Sequence, residues 1–312
     1  MDDPADDSGP CWTELAAMHE PRAAHVAEMV NVKIYAMGGH ADGLVSIEVY
    51  DTASGAWTMV GNMPTRRVCS AHCVVDGKIY VIGGFLGQNY SLVEVYDPAT
   101  NNWTEKSSMI NPKWGHTAVF LNGKIYVFGG VTNWLPETYY ETMEIYEVAT
   151  DTWVEKECPI TPRWFTSASA VNGKIYVVGG FGKDTMLSDV DVYDPVSDTW
   201  SSGTPLQIAR CGVATTVANN KIYAFGGFGN VSLKNLDERV RAFQTTEQYD
   251  PETDTWATRS PMPAPRANQS PVVINNIIYL PGGGGADPNH DYTEFFVYDP
   301  LCDTIADQRR EY

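Results

Sequence analysis

The stretch "NPKWGHTAVF" (Asn111–Phe120) sets a lysine, a tryptophan and a histidine within four residues, at the head of an apolar run. Histidine titrates near neutrality, so His116 is a candidate acid–base catalyst, and His25, ahead of the run "VAEMV", is a second. Two polar residues interrupt apolar runs themselves: Glu28 in "AEMVN" and His72 in "AHCVV". A carboxylate in such a place needs a partner or a raised pKa, so Glu28 is either half of a structural pair or a candidate general base. No Ser–His–Asp signature, phosphate-cradling loop or Cys–His metal spacing is present. "ADPNHDYTE" groups Asp287, His290, Asp291 and Glu294, a set able to hold a divalent cation, but no metal or cofactor is expected.

What positions these groups is a repeat. An apolar run ending in a glycine pair recurs as "KIYAMGG", "KIYVIGG", "KIYVFGG", "KIYVVGG", "KIYAFGG" and "IIYLPGG". After each comes a tyrosine: Tyr50, Tyr96, Tyr146, Tyr193, Tyr249 and Tyr298. Seven residues after the first five stands a tryptophan (Trp57, Trp103, Trp153, Trp200, Trp256), and ten further on a basic residue: Arg67, Lys113, Arg163, Arg210 and Arg266. The sixth tyrosine finds Ile305 in the tryptophan slot, while Trp12 lies ten residues before Arg22. The N-terminal segment therefore supplies the last strand of the unit that the C-terminus begins.

Measured between basic positions the units are 45, 46, 50, 47 and 56 residues long, each reading as four short strands. Four-stranded units of this length are the blades of a propeller, in which radial repetition leaves only short, protected sheet edges. The double glycine, tyrosine and tryptophan closely resemble the kelch repeat over about residues 11–300, departing in blade six, which lacks its own tryptophan and carries Pro281. The expected fold is all-β: a six-bladed kelch propeller over 11–312, closed by the N-terminal strand, after a disordered acidic tail at 1–10.

The resemblance implies one face on which the loops entering each innermost strand meet those leaving each glycine pair, and on which ligands bind. Arg22, Arg67, Lys113, Arg163, Arg210 and Arg266 all fall there. They form either a cationic ring that focuses a field on a carboxylate or phosphate, or, as kelch repeats favour, ties between neighbouring loops. Just after them, where kelch blades carry small residues, blades three and four place Trp114, His116, Trp164 and Phe165. His40, Phe85, Phe181 and Phe228 follow glycine pairs, and the long third-blade loop adds Trp134, Tyr139 and Tyr140. These aromatics are either a satellite core under the loops or the lining of a pocket.

The formal net charge of −18 repels nucleic acid and anionic membrane. The acidic start is no signal peptide, no run approaches a membrane span, and the six cysteines show no compact framework, so reduced thiols in a cytoplasmic monomer are expected. Two functions fit. The first is a binding module holding a peptide or protein segment at the channel mouth, with aromatic anchors burying apolar groups and arginines meeting an acidic one. The alternative is a stand-alone kelch enzyme of isomerase, mutarotase or lyase type, for which propellers resembling sialate mutarotase are the precedent. It would act on a small acidic or aromatic molecule through His116, His25 or Glu28.

Overall fold

The computed structural model describes residues 11–39, 43–132, 138–229, 241–285 and 291–303. The acidic start, His40, Trp134, Asp287 and His290 lie outside them. Six antiparallel sheets, each ordered from an innermost to an outermost strand, follow one another around a central channel. Blade four is typical: Ser167–Val171, Lys174–Val178, Val190–Asp194 and Thr199–Gly203. Blade six takes three strands from the C-terminal part, Val272–Ile274, Ile277–Pro281 and Phe295–Tyr298, and its outermost strand, Trp12–Leu15, from the other end. The architecture is thus the six-bladed propeller expected, with the expected seam. Among the described residues no helix is long and apolar enough to cross a membrane.

Blades adhere face to face through the apolar second strands. Ile79, Val81, Ile125, Val127, Ile175 and Val177 are fully buried, and the clusters they form span neighbouring blades. The glycine pair is needed where one blade's backbone meets the next. At Gly226 (φ +53) an added Cβ would lie 1.9 Å from the Arg266 carbonyl, and at Gly129 (φ +67) 2.4 Å from that of Arg163. The second glycine of the pair then donates its N–H to the same carbonyl, as Gly130 does to Arg163 at 2.8 Å.

Innermost strands enter through a closed ring of backbone hydrogen bonds. Ala24, Cys69, Gly115, Phe165, Gly212 and Asn268, one per blade, all have φ between +49 and +65. Each N–H donates to the carbonyl of its counterpart in the preceding blade, from Ala24 to Asn268 (3.0 Å) round to Asn268 to Gly212 (2.9 Å). Four of the six are not glycine, so the left-handed backbone is held against its intrinsic cost by this ring.

The expectation of six thiols is corrected. Cys11 and Cys302, 291 residues apart, form a disulfide with Cα atoms 5.4 Å apart, and Cys69, Cys73, Cys158 and Cys211 are free. Propeller closure brings together two cysteines that sequence separation had hidden.

Candidate functional site

The six basic residues do form a ring, but inside the protein. Arg22, Arg67, Lys113, Arg163, Arg210 and Arg266 are each 0–1% exposed. In five blades the partner is an acid two residues before the blade's tyrosine: Glu48 (3.0 Å), Glu94 (2.5 Å), Glu144 (2.7 Å), Asp191 (2.6 Å) and Glu247. Phe296 holds that position in blade six, and Arg266 lies over its ring at 4.7 Å and over Tyr292 at 4.2 Å. Several also donate to carbonyls of the turn leaving the glycine pair: Arg22 to Gly38 (2.7 Å), Arg163 to Gly179 (3.2 Å), Arg266 to Gly282 (2.9 Å). Burial pulls the pKa of Arg22 and Arg210 down, while Glu48 and Glu247 oppose it. The ring ties strands together and presents no cationic surface.

His25 and His116 are buried as well, 3% and 6% exposed. Desolvation is the leading cause that takes both pKa values down to about 3, with Arg22 and Lys113 adding to it. Both rings are therefore neutral at physiological pH. His116 Nε2 faces the Ile82 carbonyl at 3.1 Å, and neither nitrogen of His25 has a partner among the described residues. Both sit immediately below the backbone ring.

The loop-face aromatics come together. Trp114 is buried and stands edge-on to Trp164 (4.8 Å) and Phe165 (5.7 Å). Trp164 stacks on Phe165 at 4.5 Å and meets Phe181 at 5.9 Å, and Phe85 closes the group at 5.7 Å from Trp114. Phe85, Trp164, Phe165 and Phe181 each keep part of their surface in solvent. Tyr139 belongs to the same face, its hydroxyl donating to the Gly182 carbonyl at 3.1 Å, and Tyr140 covers the Lys113 ammonium at 4.6 Å. Phe228 stands apart, bridged to Cys211 in blade five.

Behind the backbone ring the channel opens into a cavity of about 410 Å³ walled by the innermost strands, within the usual range for small-molecule sites. One wall is chemical. Glu28 of blade one accepts from, or shares a proton with, His72 of blade two (Oε1 to Nδ1, 2.8 Å), and His72 Nε2 lies 3.3 Å from the Ser270 hydroxyl of blade six. Ser270 also reaches the His25 carbonyl at 2.7 Å. The opposite wall carries a hydroxyl cluster, with Ser167 and Ser169 each 2.8 Å from Thr215. Deeper in, the lining turns apolar at Val74, Phe120 and Val217. Cys69 and Cys73 also line the cavity, but burial raises both thiols, Cys69 to about 12, so neither supplies a thiolate.

Glu28 thus has a partner that the sequence showed only as another polar interruption. Counted from each blade's basic residue, the positions matching His72 hold Ala27, Ala118, Ala168, Thr215 and Pro271, and those matching Glu28 hold Cys73, Val119, Ser169, Thr216 and Val272. The repeat is its own control: no other blade places an ionisable carboxylate or imidazole there. Ser270 carries no such signal, because Thr117 and Ser167 fill its position elsewhere. Among the described residues the tightest His/Cys/Asp/Glu cluster is Cys11, Cys302 and Asp303, and its cysteines are joined to each other.

The model of the KLHDC2/KLHL20/DRC7 Kelch-repeats domain matches residues 10–130 and 106–284. Kelch-like protein 7 of Rattus norvegicus is 42% identical over 87 residues, which is 27% of this chain and 14% of that protein. Alpha-scruin of Limulus polyphemus is 38% identical over 76 residues, 23% of this chain and 8% of its own length. The chain therefore spans a small part of the curated relatives it matches. The solved structure of YjhT superposes with a TM-score of 0.80 at 17% identity, covering 91% of this chain and 96% of that one, which is a likeness of fold.

Proposed function

The chain belongs to the kelch-repeat family, and we propose that it is a partner-recognition module that holds an extended peptide or protein segment across the loop face of blades two to four. One observation carries the reading. Phe85, Trp114, Trp164, Phe165 and Phe181 form a continuous five-ring cluster at the ring face, fixed by mutual packing and still partly open to solvent. Large rigid aromatics, ordered before a partner arrives, are the usual interface anchors, because little side-chain entropy is lost when they are covered. The buried basic residues do not contribute, so the segment is recognised through apolar and aromatic side chains rather than an acidic group.

Selection of displayed peptides on the immobilised protein tests this. Enriched peptides should bind the wild type and lose about 30-fold in affinity to Trp164→Ala, the effect of removing an anchor of about 2 kcal/mol. Peptides that bind Trp164→Ala and Phe181→Ala as tightly as the wild type would place recognition elsewhere.

A further inference from the structure

We propose that Ser270, His72 and Glu28 form a nucleophilic site in the central channel, able to take the acyl group of a small carboxylic ester. Three observations converge on it. The groups come from blades six, two and one, yet lie in line at 3.3 Å and 2.8 Å, the order in which a carboxylate orients an imidazole and the imidazole deprotonates a hydroxyl. All three border the same cavity of about 410 Å³. His72 and Glu28 depart from the small and uncharged residues that the other blades place there, so the propeller itself does not require them.

With its Nδ1–H donated to Glu28, His72 presents a bare Nε2 to Ser270. The Ser270 hydroxyl has two acceptors in reach, the His25 carbonyl at 2.7 Å and Nε2 at 3.3 Å. Turning its hydrogen from one to the other is rotation about a single C–O bond. In the first step Oγ bonds to the ester carbonyl carbon and its proton passes to Nε2. The carbon–alkoxide bond breaks, and the alcohol leaves with that proton. Water then bonds to the acyl carbon, giving a proton to Nε2, and the Ser270 oxygen recovers it as the carboxylic acid departs. Beside the nucleophile, the buried Gln269 side-chain amide has no partner among the described residues and offers a donor for the negative charge that develops on the carbonyl oxygen. His72 is catalytic in this scheme, and Glu28 is a positioning residue. The site is independent of the aromatic cluster, and its failure leaves the peptide-binding reading untouched.

The test is reaction of the whole protein with a fluorophosphonate probe, with the modified peptide mapped by mass spectrometry and p-nitrophenyl acetate hydrolysis followed in parallel. We expect one adduct, at Ser270, and hydrolysis lost in Ser270→Ala. His72→Gln should slow both reactions at least 100-fold, and Glu28→Gln should lower kcat about 10-fold with KM unchanged. Labelling of the wild type needs no variant, so a His72→Gln protein that fails to fold does not leave the question open. Absence of an adduct at Ser270 overturns the proposal, and so does labelling of equal rate in a folded His72→Gln protein.

Discussion

In blade five the chain runs from Tyr249 through a tight turn to Trp256, and Thr253 and Thr255 join hydroxyls across that turn at 2.8 Å. Blades three and four repeat the pair as Thr150 with Thr152 and Ser197 with Thr199, both at 2.7 Å. In blade six the same plan is followed as far as Tyr298 and Asp303, which are hydrogen-bonded as Tyr249 and Asp254 are, and then the next strand arrives from the other end of the chain. Cys302 stands four residues after its tyrosine, like Thr253, and Cys11 one before its tryptophan, like Thr255. The disulfide therefore occupies the place of the hydroxyl pair. A turn that is covalent already needs only a weak tie across it, whereas the seam has no backbone continuity and receives a covalent one. Blade six departs in a second respect. Its Arg266 trades a buried carboxylate for aromatic rings, with Glu294 3.8 Å away and 39% exposed.

The largest expected effect tests that second departure. Arg210→Ala strands Glu247, 2% exposed, without its cation, and should cost about 3–5 kcal/mol in urea unfolding. Arg266→Ala leaves Glu294 hydrated and removes cation–π contacts and the donor to the Gly282 carbonyl, but strands no buried charge, so a smaller loss of about 1–3 kcal/mol is expected. Equal midpoint shifts in the two variants would erase the distinction between the seam and the closed blades.

Reduction of the seam comes next. Cross-linking across a long loop constrains the unfolded chain, and loss of such a bond costs about 2–4 kcal/mol. The wild type should melt several degrees lower in reductant, and Cys11→Ser with Cys302→Ser should melt at that lower temperature whether or not reductant is present. A wild type indifferent to reductant would mean that the four residue pairs between Trp12–Leu15 and Phe295–Tyr298 close the ring unaided.

The blades, their order and the seam were legible because spacing between glycine, tyrosine, tryptophan and basic residues encodes them directly. The burial of the basic ring is legible too in the acids that stand two residues before five of the six tyrosines: Glu48, Glu94, Glu144, Asp191 and Glu247. The disulfide required aligning Cys302 and Cys11 on the hydroxyl pairs, and a separation of 291 residues obscures that step. The channel constellation lay furthest from sight. Glu28 and His72 showed as polar intrusions, but which residues of radial strands meet across a channel depends on blade geometry, and a serine among serines and threonines gives no signal.

A smaller effect separates blade one, beside the seam, from blade three. Both His25 and His116 have folded pKa values near 3, well below the ordinary value of 6.5. Between those limits the unfolded chain binds more protons, so stability is whole above about pH 6.5 and falls as the pH drops, by up to about 1.4 kcal/mol per unit for each ring. By pH 5 each should have withdrawn about 2 kcal/mol. Putting blade four's threonine into blade three, His116→Thr, or blade two's serine into blade one, His25→Ser, should flatten the acid limb of the unfolding midpoint by one proton. Equal flattening means that blade one is as tightly closed as blade three. A weaker response from His25→Ser would show that the seam lets water reach its neighbour.

The smallest effect bears on the substitution of sulfur for hydroxyl. Thr253→Val and Thr255→Val each delete one member of an exposed hydrogen-bonded pair, and a bond of that kind contributes about 0.5–1.5 kcal/mol net, with exposure favouring the low end. The turn from Tyr249 to Trp256 survives through its backbone and through Asp254, which accepts from Tyr249 and from the Thr204 N–H at 2.7 Å. Thr253→Cys with Thr255→Cys then distinguishes loop entropy from local geometry. A disulfide there spans two positions of an existing turn and constrains the unfolded chain far less than one spanning 291 residues, so oxidation should leave the melting temperature within about a degree, where oxidation of the natural seam raises it by several. If the engineered bond stabilised as much as the natural one, the seam's strength would come from bridging these two positions as such, and not from joining the ends of the ring.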